Sequence, residues 1–325
     1  MRRQARLFVG GLALLLLATP VGAQATKPQG APPDRDRDLE LATAAAAAGR
    51  LAEAERHLRD AAVRFHSVRA LVQLAHLRMG ASDAPGAVEA LRQARALAPN
   101  SEDVLSGYAE ASLAAHAPMP ALSALDTLTR LCPTVARYHF EKGSVLLQAG
   151  DAEAAVESLK EAARLEPDQP TTLVALGTAL DDLRRYDDAK PRLLRGLSLA
   201  PDRVDAVAAL AVAEEGLGDL ESAQAHARRA LAKPGPPASA SLVLGVVMMK
   251  HGRCAEARDA LLAAVAADPA SARAHSELGR AYSCLNDAAA AAQQTEISRQ
   301  RAKETDDRVR QVRLLTGFAE GVTPP

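Results

Sequence analysis

Prolines recur along this chain at a fixed interval of 34 residues. Four of them follow one another at that spacing, and a fifth lies two intervals further on. A constant period of this length is typical of stacked repeats, in which each unit buries its apolar face on a neighbour. The sequence therefore predicts one continuous solenoid over most of its 325 residues. The prolines in this phase are Pro99, Pro133, Pro167, Pro201 and Pro269.

Small residues and leucines share the same period. With the prolines set at position 32 of each unit, position 20 is alanine in seven successive units, from Ala87 to Ala291. Position 8 is alanine or glycine in each of them, and position 24 is leucine in five. The apolar residues recur at helical spacing, a turn signal such as Gly150-Asp151 separates the halves, and the proline ends the second half. Each unit is therefore predicted to be a helix, a short turn and a second helix.

This arrangement resembles the tetratricopeptide repeat, whose pattern has Leu-Gly, then Tyr, then Ala-x3-Phe, then Pro. Leu278-Gly279 with Tyr282 carries the first part of that pattern, and Ala189 with Pro201 carries the second. The resemblance implies an all-α fold, a right-handed α-solenoid of about eight helix-turn-helix repeats with a C-terminal capping helix. The repeats are expected at residues 35–67, 68–101, 102–135, 136–169, 170–203, 204–237, 238–271 and 272–305.

Residues 306–325, beyond the last repeat, are predicted to form the capping helix and a tail. Val309, Val312 and Leu315 fall on one helical face, with arginines opposite. The end of a solenoid needs a capping element whose outer face is polar, so capping is the expected role of this helix. The alternative is that the helix docks elsewhere for a functional purpose.

Residues 1–23 have the pattern of a secretory signal peptide. Three arginines precede an apolar stretch over residues 7–18, and small residues before Gln24 offer a cleavage site. The stretch is short for a bilayer span, and the alternative is an uncleaved anchor. We expect a flexible leader over residues 24–34, no membrane span in the mature chain, and a periplasmic or secreted location.

Composition and motifs argue against catalysis and against nucleic-acid binding. The net charge is −1, and removal of residues 1–23 would leave 36 basic and 40 acidic side chains, so no basic field is available for a phosphate backbone. Aromatic residues make up only 2 %, too few for a base-stacking platform. The sequence contains no His-Glu-x-x-His, glycine-rich phosphate loop or Gly-x-Ser-x-Gly elbow. We therefore predict no enzyme activity, no cofactor, no metal site and no nucleic-acid partner.

Two of the three cysteines fall on one edge of the expected array. Cys254 begins the second helix of one repeat, and Cys284 lies near the end of the first helix of the next. An exported chain can bridge such a pair, whereas Cys132 lies on the opposite edge. The alternative is that all three are unrelated small apolar residues.

In the tetratricopeptide family the concave face is lined by first-helix positions, and a partner binds there. The resemblance implies a graded groove on this chain, with an acidic middle, cationic ends and an apolar patch beside one basic end. The alternatives are a solvated surface without a ligand, or acidic residues neutralised by neighbours such as Arg184 or Arg203. The predicted partner-binding residues are Arg137, Phe140, Asp181, Asp182, Asp205, Glu215, Leu242, Val246, Met249 and Arg280.

These features together predict a non-catalytic exported scaffold. Its partner would be a protein or peptide segment, with basic residues at the acidic middle of the groove. We expect a monomer that serves the assembly of an envelope complex. The alternatives are an accessory subunit of a peptidoglycan or exopolysaccharide assembly or secretion enzyme, and an array that only spaces a membrane complex.

Overall fold

The computed structural model describes residues 33–316, which form sixteen α-helices and no strand. Consecutive helices pack as antiparallel pairs, and each pair contacts the next. The first helices are α1 Pro33–Ala47, α3 Val68–Gly80, α5 Glu102–Ala114, α7 Ala136–Ala149, α9 Pro170–Asp182, α11 Val204–Leu217, α13 Ala238–Lys250 and α15 Ala272–Cys284. The second helices are α2 Leu51–Phe65, α4 Ala84–Leu97, α6 Pro118–Leu131, α8 Ala152–Leu165, α10 Tyr186–Leu199, α12 Leu220–Leu231, α14 Cys254–Ala267 and α16 Ala288–Thr316.

The first helices from α3 to α15 begin at the residues where the 34-residue phase places the repeats. The first repeat differs slightly, because α1 begins at Pro33, two residues before the expected start. Proline is well suited to the first turn of a helix, where its missing N–H leaves no hydrogen bond unmade. The predicted signal peptide lies outside the described residues, and so does the leader apart from its last two residues.

The small residues at position 8 allow the two helices of a repeat to touch. A Cβ atom added to Gly177 would lie 2.5 Å from Cγ of Leu193, and one added to Gly245 would lie 2.5 Å from Cγ of Leu261. Both leucines are fully buried, as is the position-20 alanine beside each of them. The leucine of the second helix therefore fills the space that a larger residue on the first helix would need.

The last helix corrects the prediction of a separate capping helix after residue 305. Helix α16 runs without a break through 29 residues, a length of about 43 Å. Lys303 stands where the repeat pattern would place proline, so nothing in the sequence interrupts the helix there. The first part of α16 packs on α15, and its far end reaches back to contact α6 and α7.

Helix α16 is long enough to cross a bilayer but is strongly polar. Of the helices within residues 33–316, none combines the length and apolar character of a membrane span.

Candidate functional site

The far end of α16 closes the concave side of the array over a large cavity, which we call the chamber. Its volume is about 1090 Å³. The wall consists mainly of first-helix residues of repeats five to eight, the turn of repeat four and one side of α16. Its lining includes Gly150, Glu153, Asp181, Asp182, Arg184, Tyr186, Val212, Glu215, Val246, Lys250, Arg273, Ser276, Glu277, Arg280, Thr305, Asp306, Val309 and Arg313.

An ion-pair cluster holds α16 on repeat four. The guanidinium of Arg313 donates hydrogen bonds of 2.9 Å to both carboxylate oxygens of Asp151, and a third to Glu153. The side chain of Asp151 is fully buried, and it also caps α8 by accepting a hydrogen bond from the Ala154 N–H. These hydrogen bonds raise the pKa of Arg313, so its guanidinium stays charged at any physiological pH. We call the cluster of Arg313, Asp151 and Glu153 the latch.

Apolar contacts accompany this ion-pair cluster. Val312, the neighbour of Arg313, is fully buried in the main hydrophobic cluster of the array. Thr305 and Val309 lie over Gly150, whose φ of 90° is the left-handed conformation that ends α7. A Cβ at Gly150 would lie 2.7 Å from Cγ2 of Thr305, so glycine permits the close approach as well as the turn.

Glu215, one of the predicted groove acids, lies in the chamber wall with two cationic partners. It accepts a hydrogen bond of 2.9 Å from Nζ of Lys250 and another from Arg273. Burial alone would raise its pKa, but the hydrogen bond from Lys250 and the charge of Arg273 outweigh burial and lower it. Glu215 is therefore ionised, and its charge is already compensated.

Asp205, another predicted groove acid, is also paired. It is exposed and forms an ion pair with Arg203, two residues earlier. Burial again opposes ionisation, but the hydrogen bonds from Arg203 lower its pKa. Asp205 lines a neighbouring cavity of about 380 Å³ rather than the chamber. The prediction of one continuous acidic middle is therefore wrong, because Asp205 and Glu215 are neutralised by arginines and a lysine.

Asp181 and Asp182 behave differently from these two acids. Asp181 is only 6 % exposed, and neither of its carboxylate oxygens has a hydrogen-bond partner among the described residues. Burial, reinforced by the charge of Asp182, raises the pKa of Asp181 to about 8, although Arg273 opposes the shift. Asp182 is accessible within the chamber yet surrounded by protein on most sides, and this partial desolvation raises its pKa too.

The structure does not show the exposed apolar patch that the sequence predicted. Leu242 is 7 % exposed and Val246 is 4 % exposed, so both belong mainly to the core, and Met249 packs half-buried against the same cluster. Helix α13 is apolar on nearly every side because α11, α12, α14 and α15 all pack on it. The patch is therefore not an exposed surface.

The remaining predicted residues divide between the chamber and the surface outside it. Arg280 lies in the chamber wall and donates hydrogen bonds of 2.9 and 3.1 Å to Glu277. Arg137 is exposed, forms an ion pair with Glu141 and stacks over the ring of Tyr138. Phe140 is half-buried against the core. The acidic middle and the cationic ends expected from the sequence are therefore interleaved rather than separated.

The two edge cysteines are joined in the structure. Cys254 and Cys284 form a disulfide with a Cα–Cα separation of 6.0 Å, within the usual range for such a bridge. Cys132 is free and half-buried, and burial together with Glu102 raises the pKa of its thiol. Within residues 33–316, no cluster of three or more His, Cys, Asp or Glu side chains could hold a metal ion.

Sequence reasoning missed the part of the chamber that α16 supplies. Thr305, Asp306 and Arg313 line the chamber from across the groove, and Glu153 meets them from repeat four. The absence of proline at Lys303 was the one local signal that the last helix continues. Nothing local indicated where that helix would dock.

Comparisons with known proteins agree with this architecture. Sequence models of the tetratricopeptide repeat match residues 109–170, 146–213 and 242–296. The structure is similar to that of a tetratricopeptide repeat protein from Parabacteroides merdae, with 14 % identity, a TM-score of 0.56, and coverage of 76 % of this chain and 98 % of that chain. No curated protein matches the chain significantly in sequence.

A second similar structure is the Cut9–Hcn1 hetero-tetramer of the APC/C, with 14 % identity and a TM-score of 0.56. The match covers 81 % of this chain but only 52 % of that one, so the chain spans about half the length of this relative. At this level of identity, both similarities concern the fold alone.

Proposed function

We propose that this chain, which belongs to the tetratricopeptide-repeat family, is a non-catalytic scaffold that binds a segment of a protein partner in its chamber. The fold itself is generally an interaction scaffold rather than a catalytic one. The observation that carries the proposal is the chamber of about 1090 Å³, which lies on the concave side of repeats five to eight. A cavity of this size is large enough for several residues of an extended peptide.

The chemistry of the wall favours a polar segment with basic residues. Charged and hydroxyl side chains line much of the chamber, and the core leucines and valines are largely withdrawn from it. Most of the chamber's basic groups already have acidic partners, whereas the carboxylate of neither Asp181 nor Asp182 forms a hydrogen bond or ion pair with a described residue, and Arg273 is the only cation whose charge acts on them. A partner that brings positive charge would therefore meet two acidic groups that no described side chain binds directly.

We further propose that the chain is exported and serves the assembly of an envelope complex. The pattern of residues 1–23 supports export. The pairing of Cys254 with Cys284 also supports it, because disulfides persist in oxidising compartments and are rare in the cytosol. Mass spectrometry of the protein from an envelope fraction tests this part. We expect an N-terminus near Gln24 and a bridged pair, and an intact Met1 in that fraction would contradict cleavage.

A chamber-blocking variant tests the scaffold proposal. Ser276 is exposed within the chamber, so Ser276→Trp would fill part of it. Ala263 on α14 is exposed and lies outside both cavities described above, so Ala263→Trp is the matched control. Each protein is used as bait in extract from the native cells, and captured proteins are quantified by mass spectrometry.

The proposal predicts a defined set of partners that the wild type and Ala263→Trp retain and that Ser276→Trp loses. Circular dichroism and the thermal midpoint of each variant verify that the bait is folded. Equal capture by all three proteins would mean that the chamber is not the binding surface.

A further inference from the structure

We propose that Asp181 and Asp182 form a binding site for one protonated amine or guanidinium group within the chamber. This inference deepens the proposed function and rests on it, because it assigns the chemistry of the group that a partner would insert.

The first argument is the state of Asp181. A buried carboxylate normally accepts hydrogen bonds or an ion pair, since burying it unpaired is costly. Here both oxygens are sealed from solvent and have no partner in the described part of the chain. Burial and the charge of Asp182 raise the pKa of Asp181 to about 8, and the opposing charge of Arg273, which makes no hydrogen bond to Asp181, does not outweigh them.

The second argument is the charge of the surrounding wall. Lys250 and Arg273 are engaged by Glu215, and Arg280 is engaged by Glu277. Arg313 is engaged by Asp151 and Glu153 on the far side of the chamber. These cations make their hydrogen bonds to other carboxylates. The charge of Arg273 lowers the pKa of Asp181 and of Asp182 but does not outweigh burial. Arg184 also lines the chamber, but it forms no ion pair with either aspartate.

The third argument is access. Asp182 follows Asp181 at the end of α9 and is accessible from the chamber, whereas the Asp181 oxygens lie behind the surface. A cation that enters the chamber would therefore contact the carboxylate of Asp182 directly. Its charge would also stabilise the ionised form of the neighbouring Asp181.

The fourth argument concerns the type of cation. Two carboxylates are too few for a calcium site, which takes six to eight oxygen ligands. An ammonium or guanidinium group suits them, because it supplies several donors and forms charge-assisted hydrogen bonds. The group could belong to a lysine or arginine of a partner or to a free polyamine, and the chamber is roomy enough for either.

Calorimetric titration of the purified protein tests the site. The probes are a capped pentapeptide with lysine between two pairs of glycines, the same peptide with norleucine in place of lysine, and spermidine. The variant is Asp182→Asn, and the control is Asp202→Asn, because Asp202 is exposed and lies outside the chamber. Circular dichroism verifies that both variants fold.

We expect the lysine peptide to bind the wild type and Asp202→Asn equally. Replacing lysine by norleucine, or Asp182 by Asn, should each weaken binding about tenfold, the effect of losing one charge-assisted hydrogen bond. Spermidine binding that depends on Asp182, without peptide binding, would also support the site and would identify a free amine as its ligand.

Equal binding of the two peptides, an unchanged affinity of Asp182→Asn, or no binding of any probe at millimolar concentration would overturn the inference. The two experiments together distinguish a failure of the scaffold proposal from a failure of the cation site. If partner capture is lost in Ser276→Trp but unchanged in Asp182→Asn, the scaffold stands and the cation site does not. If the amine probes bind but no partner depends on the chamber, the cation site stands and the scaffold proposal fails.

Discussion

Arg313 and Asp151 lie 162 residues apart in the chain and meet through two hydrogen bonds of 2.9 Å. The same carboxylate caps α8, so one buried side chain both begins a helix in repeat four and receives the end of the last helix. This pairing places the far end of α16 across the groove, so α16 forms one wall of the chamber. A partner in the chamber would therefore contact α16 as well as the first helices of repeats five to eight.

The first prediction concerns this latch. Arg313→Ala leaves the buried Asp151 carboxylate without its cation, which should weaken the docking of α16 by about 2–3 kcal/mol. Hydrogen exchange over residues 305–316 should then quicken by one to two orders of magnitude. The matched control is Arg310→Ala, since Arg310 is three-quarters exposed and lies 3.8 Å from Asp307. Equal protection in the two variants would mean that Arg313 does not hold the helix.

The second prediction concerns the pH dependence that Asp181 imposes. Its pKa is about 8 in the folded protein and close to its ordinary value of 3.8 when unfolded. The folded state therefore binds the extra proton between these values, and its stability falls as the pH rises from about 4 to about 8. Asp181→Asn removes this penalty, so its thermal midpoint should exceed that of the wild type by an amount that grows from pH 5 to pH 8.5. A difference that stays constant with pH would contradict a buried, unpaired acid.

The third prediction concerns the bridge between repeats seven and eight. Reducing the Cys254–Cys284 disulfide, which spans 30 residues, should lower the stability of this end of the array by about 3–4 kcal/mol. The double variant Cys254→Ser/Cys284→Ser should melt at the same temperature with or without dithiothreitol, well below the oxidised wild type. Cys132→Ser is the control and should keep the sensitivity to reductant. A wild type that is insensitive to reductant would show that the bridge does not form or does not stabilise the fold.

The fourth prediction concerns the contact between the helices of a repeat. Gly177→Ala places a Cβ 2.5 Å from Leu193, which is fully buried and has little room to move. Overpacking of this kind should cost about 1–3 kcal/mol. Gly80→Ala is the matched control, because nothing lies within 4 Å of the added Cβ. Chemical denaturation should separate the two, and equal stabilities would mean that the repeat adapts to the larger residue.

The helical repeats could be predicted because their determinants are local and periodic. Glycine or alanine at position 8, alanine at position 20 and, in five of the seven units, leucine at position 24 specify the same contact, as Gly177, Ala189 and Leu193 illustrate. The path of α16 could not be predicted in this way. Its docking on Asp151 depends on the curvature accumulated over four repeats, and no single stretch of sequence encodes that curvature.

The groove illustrates the same limit. Repeat positions directed attention to Asp181, Asp182 and Glu215, and all three line the chamber. The pairing of Glu215 with Lys250 and Arg273 joins residues from three different repeats. Such contacts depend on side-chain directions across the superhelix, so the sequence alone did not distinguish Glu215, which has two hydrogen-bonded cations, from Asp181 and Asp182, which have none.

Site-specific photo-crosslinking tests most directly whether a partner occupies the chamber. A benzophenone amino acid is placed at Val212, inside the chamber, and in a second protein at Ala263, outside it. After irradiation in extract from the native cells, the account predicts a discrete partner adduct from position 212 that Ser276→Trp abolishes, and no such adduct from position 263. An adduct that forms from position 263 and not from position 212 would place the binding surface on the outside of the array and contradict the account.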